Sequence, residues 1–175
     1  MVWALSLASA GEPVGTTDPV QAAISALASA GAVTYSHRPK YSDAIDDLFL
    51  GYDAAGKPVT GAALREFKTY EKVTAMLAVQ AADGAFVIRS AEIPDIGVIK
   101  NAEKQNKVTG AIRSVTGKTV RDASGKEITV DAVTGATRYQ KRIYSSFNLM
   151  ARAIVAEINR NASDWEKKPV PAAGG

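Results

Sequence analysis

Ile143, Phe147, Met150, Ile154 and Ile158 recur at intervals of three and four residues, and this run constrains the fold more than any other stretch. The spacing sets all five side chains on one face of an α-helix. Arg138, Lys141, Arg142, Arg152 and Glu157 largely decorate the remainder. A helix with so continuous an apolar stripe has to bury it against another layer. By this spacing Phe147 and Met150 are packing residues rather than part of a cofactor box.

The segments upstream read as a sheet. Runs at 48–52, 59–67, 73–80 and 85–90 are strand-like. Asp53 to Gly56 marks one turn, and Asp83-Gly84, flanked by apolar runs, is the stronger hairpin signal. Segments 118–121 and 127–130 bracket a third turn, Asp122-Ala123-Ser124-Gly125. No fixed-period repeat accompanies the turns, so a solenoid or propeller is not indicated.

Asp18-Pro19-Val20-Gln21 reads as a helix start, with Asp18 as cap, Pro19 at the first helical position and Gln21 completing a capping box. That helix runs through Ile24 and Leu27 to about Ala30, where Gly31 offers a stop. Segment 101–114 is polar and fits a short exposed helix to Asn106, with Val108 and Ile112 near a core edge. The fold class that follows is α+β: a curved, mainly antiparallel sheet packed by N-terminal and C-terminal helices. The expected organisation is a flexible N-terminal segment or leader remnant over 1–17, one folded domain over 18–163, and a polar Pro/Gly tail over 164–175.

A length of 175 residues, 46% of them apolar, supports one real core. The net charge of +3 is too balanced to argue for nucleic acid. Lys100, Lys104 and Lys107 form only a loose patch. The absence of cysteine excludes thiol catalysis, disulfides and cysteinyl iron–sulfur ligation. His37, the single histidine, stands before Arg38-Pro39 in an expected loop and reads as a surface side chain; one histidine is a poor metal centre. Asp131, Glu92 and Asp95 have no histidine beside them, so no catalytic residue and no metal ligand is assigned. No glycine fingerprint for a dinucleotide follows a strand. No run approaches the roughly 18 apolar residues of a membrane span. Segment 2–10 ends in Ala8-Ser9-Ala10 without a positive start and fits a trimmed leader as well as a floppy N-terminus; the export or anchor segment itself is expected to be absent from this chain.

The chemistry-bearing stretch is Asp131-Ala132-Val133-Thr134-Gly135-Ala136-Thr137, directly before the long helix. It sets a small turn and two hydroxyls at a helix mouth, where unpaired N–H groups and the dipole favour a phosphate. Gly135 and Ala136 leave room for a ligand at the backbone. Thr137 can hydrogen-bond a phosphate or carry it as an ester. Taken alone, the same spacing also describes an ordinary turn ending in a helix cap.

The stretch resembles the attachment motif of the FMN-binding domain found in subunits of the Rnf and sodium-pumping NADH:quinone oxidoreductase complexes. Asp131, Thr134, Gly135 and Ala136 match its recognition part, and Thr137 matches the flavinylated threonine. Tyr52 to Val59 is similar to the family's early hairpin. Segment 92–97, Glu-Ile-Pro-Asp-Ile-Gly, is similar to its Glu-Thr-Pro-Gly-Leu-Gly loop near the flavin, with Glu92, Pro94 and Gly97 matching. Ile93 and Asp95 depart from that loop, and Tyr139 and Gln140 stand where the family tends to have Thr-Ser. The resemblance spans roughly residues 48–158. It implies FMN held as a phosphoester on Thr137, with Glu92, Pro94 and Gly97 bordering the ring. It also implies a flavin transferase for maturation, a location outside the cytoplasm, and electron exchange with a redox protein or membrane complex. A negative charge at Asp95 disfavours a reduced anionic flavin. The alternative is a flavin-free extracytoplasmic interaction module of the same fold.

Overall fold

The computed structural model describes residues 17–120 and 138–172. Helix α1, Pro19–Ser29, begins at the predicted cap: Asp18 accepts a hydrogen bond from the Val20 N–H, and Pro19 needs no acceptor there, but Gln21 donates forward to the Ser25 hydroxyl at 3.4 Å instead of closing the expected capping box. Six strands follow, β1 (Thr34–Pro39), β2 (Asp47–Tyr52), β3 (Pro58–Lys68), β4 (Lys72–Ala82), β5 (Ala85–Glu92) and β6 (Thr119–Val120), with α2 (Ala102–Arg113) between β5 and β6. Helix α3 (Arg138–Arg160) and the short β7 (Lys168–Pro169) complete the described residues. The strands form one open antiparallel sheet in the order β6-β5-β4-β3-β2-β1-β7. The α+β class with a helix on the sheet from each end of the chain is therefore the observed architecture.

The turn chemistry sets the meander. Asp83 and Gly84, both at positive φ, link Ala82 to its partner Ala85, as a two-residue hairpin turn with primed geometry requires. At the β2–β3 turn Asp53 accepts from the Ala55 and Lys57 N–H groups. The third predicted turn, Asp122 to Gly125, lies outside the described residues.

Strand alternation splits the apolar side chains between two cores. Leu48, Leu50, Tyr52, Ala63, Leu77, Val79 and Ile88 pack with α2 and α3, whereas Phe49, Ala62, Leu64, Met76 and Ala78 pack with α1. All five residues of the predicted stripe on α3 are buried. The helix lies so close to β3 that a Cβ on Gly61 would stand 2.6 Å from Ile154 Cγ2, which excludes any larger residue without displacement.

Three segments differ from expectation. Residues 34–39 form a strand, not a loop: His37 is half-buried, stacks on Phe49 at 4.2 Å, and meets Asp47 at 2.7 Å. Helix α2 continues past Asn106 to Arg113, because Val108, Ala111 and Ile112 reach the α3-side core. The packed chain also extends beyond residue 163. Trp165 is buried, Arg38 lies over its ring at 4.5 Å, and β7 pairs with the outer edge of β1. The Tyr52 hydroxyl donates to the Ala162 carbonyl at 2.9 Å and so ties this return to the sheet. No helix among the described residues is long and apolar enough to cross a membrane.

Candidate functional site

The end of β5 and the loop after it carry three of the residues expected at the cofactor, Glu92, Pro94 and Gly97. The loop's two departures from the family pattern each have a packing role. Ile93 is buried in the α3-side core, where a threonine hydroxyl would need a partner. Asp95 accepts from the Thr74 N–H with both carboxylate oxygens, at 2.9 and 3.1 Å. Its charge thus serves the start of β4, a role that no feature of the sequence signals. Asp95→Ala is expected to cost about 1–2 kcal/mol by orphaning that donor. Urea unfolding checks this, with Asp95→Asn recovering part of the loss through its remaining carbonyl.

Pro94 is buried, and its carbonyl accepts from the Thr17 N–H at 3.0 Å. Gly97 lies in a single 3₁₀ turn, Ile96–Val98. It is not among the positive-φ glycines, so the backbone does not demand glycine there. Beside it Val98 is one of two exposed large hydrophobic residues among those described. Glu92 departs from the group. It pairs in register with Met76, on the α1 face, and lines a groove of about 900 Å³ between α1 and β4–β5. Desolvation raises its carboxyl above the ordinary range.

The first turn of α2 connects this loop to the start of α3. Asn101 caps it, accepting from the Lys104 N–H at 2.9 Å. The Gln105 side-chain amide donates to the carbonyls of Ile99, at 2.6 Å, and Ile96, at 3.4 Å, and so clamps the 3₁₀ turn. The neighbouring Lys104 places its ammonium 5.0 Å from the centre of the Tyr70 ring. Tyr70 in turn meets Tyr139 of α3, with ring centres 4.8 Å apart and planes inclined by 37°. Burial first, and then Tyr139, raises the Tyr70 phenol. Lys107 is engaged with Glu103 at 2.6 Å, and that hydrogen bond holds the Glu103 carboxyl down.

Gly97 and Tyr139 therefore flank the same helix end. Asp131, Thr134, Gly135, Ala136 and Thr137 lie outside the described residues; Thr137 immediately precedes Arg138, the first residue of α3. Tyr70 was not singled out by sequence. The available signal was an aromatic residue in the three-residue connection between two strands, where polar residues and glycine are usual. No family model, curated protein or solved structure matches this chain.

Proposed function

We propose that this protein is a tethered electron carrier, and specifically that it holds FMN as a phosphoester on Thr137 and relays electrons between redox proteins outside the cytoplasm. The observation that carries the reading is the α2 bridge. One helix turn touches both the 96–99 segment, through Gln105, and the start of α3, through Lys104, Tyr70 and Tyr139. The attachment motif read from the sequence ends at the residue before that helix.

The described residues suit such a group. Gly97 and Val98 offer a small, apolar surface, and Tyr70 and Tyr139 supply aromatic faces. Lys104 acts on Glu103 only at longer range than Lys107 does, lies over the Tyr70 ring, and favours negative charge nearby. A flavin there supplies one- and two-electron chemistry, while the protein orients it, shields it and selects partners. Glu92 borders the α1-side groove, so its part in the site is through the loop backbone it anchors.

Stopped-flow absorbance on flavin-loaded protein tests the role. Rapid exchange with cytochromes or quinone-linked flavoproteins, and slow oxidation of NADH alone, is the expected result. Oxidation of NADH alone at rates matching the best protein partner would make the chain a self-contained reductase.

A further inference from the structure

On the other side of the first turns of α3 lies a concavity of about 580 Å³, walled by Arg65 and Lys68 of β3 and by Arg138, Lys141 and Arg142 of α3. Strand alternation turns Arg65 towards α3, whereas Lys68, like Glu66, falls on the opposite face of β3, and its backbone carbonyl is what meets Arg142. Arg65 and Phe67 point to the α3 face, while Glu66 between them points away and pairs with Lys72 at 2.5 Å. Among the described residues no carboxylate forms an ion pair with Arg65, Arg138, Lys141 or Arg142. Phe67, partly buried against the core, gives the concavity an apolar floor.

Two of the guanidinium groups are held in place rather than left to wander in solvent. Arg142 donates to the Lys68 carbonyl at 3.2 Å, and Arg65 donates to the Ala44 carbonyl. The buried Arg65 Nε–H has no acceptor. Like charges gathered over an apolar floor repel one another, and a buried charged donor without a partner is costly. Both costs fall when an anion enters, and pinned guanidiniums have little rotamer freedom left to lose.

We infer that this pocket is a docking surface for an acidic protein, which inserts a carboxylate side chain between the four cations Arg65, Arg138, Lys141 and Arg142. Planar guanidinium forks match carboxylates bidentately. A bilayer fits less well. A flat headgroup plane reaches only the rim of a concave site, and neither exposed large apolar residue, Val33 or Val98, lines it. Arg138 adjoins Thr137 in the chain, one Cα step of about 3.8 Å. A partner bound here would sit beside the proposed attachment residue; that it is a redox partner rests on the flavin-carrier reading, whereas the anion preference does not.

The test uses the full chain, both flavin-free and flavin-loaded, and a hexaglutamate peptide as probe. Titrations at about 20 mM salt, where screening is weak, are followed by amide chemical shifts. Shifts centred on residues 65–68 and 138–146, binding that weakens steeply with salt, and an affinity about fivefold lower in Arg138→Gln/Lys141→Gln support the inference. The control Lys40→Gln/Lys57→Gln should bind as the parent does, and circular dichroism should show all forms folded. No binding, equal loss in the control, or shifts elsewhere would overturn it. So would tighter, variant-sensitive binding to phosphatidylglycerol vesicles, which assigns the pocket to a membrane. Binding that vanishes once flavin is attached would assign the pocket to the cofactor's phosphate instead. Since the flavin-free chain is measured as well, failure of flavin loading and failure of docking give different results.

Discussion

Phe147→Ala is expected to lower the unfolding free energy by about 3–5 kcal/mol and the melting temperature by roughly 6–20 °C. Phe147 is 1% exposed in the centre of the α3 stripe, with Ile143, Met150 and Ile154 around it and the sheet beneath. Truncation removes a ring from a site that cannot collapse. Close helix–sheet contact at Gly61 and Ile154 already holds α3 against β3. Chemical denaturation with an unchanged slope checks the magnitude. A loss below about 1 kcal/mol would mean that α3 does not form the main cover of the sheet.

Thr137→Val is expected to abolish denaturation-resistant flavin while leaving the fold intact. The two side chains have nearly the same shape, and only the hydroxyl that would form the ester is lost. Any cost to stability should stay near about 1 kcal/mol, the usual value of a helix cap. Thr134→Ala should reduce loading less completely, since that residue matches the recognition part of the motif rather than its acceptor. Flavin fluorescence on a denaturing gel reads both variants. Retained fluorescence in Thr137→Val would move the ester elsewhere.

Much of the fold was legible because local signals agreed with the global arrangement. The Asp18-Pro19 cap, the Asp83-Gly84 hairpin and the five-residue stripe on α3 each state their structure within a few residues. Strand β1 was hidden because its determinants are distant. His37 is held by Asp47 and Phe49 of the next strand, and the outer edge of β1 is covered by β7 from the far end of the chain. Trp165 looked like part of a tail because nothing near it in sequence shows the pocket it fills.

The candidate site divides in the same way. Segment 92–97 was singled out by its resemblance to a family loop, but the reasons for Ile93 and Asp95 are three-dimensional, one a core position and the other a backbone donor on β4. Gln105, Lys104 and Tyr70 carry no motif at all. Their connection to Tyr139 exists only once α2 lies against the loop and the start of α3.

The central claim is the covalent flavin on Thr137, and intact-mass analysis tests it most directly. The full chain is co-expressed, with export, alongside a competent flavin transferase, and the purified protein is then weighed and fragmented. The proposed function predicts a mass increase of one FMN less one water, with fragments placing it on Thr137. Unmodified protein from a co-expression in which a known substrate of the same transferase is flavinylated would contradict it.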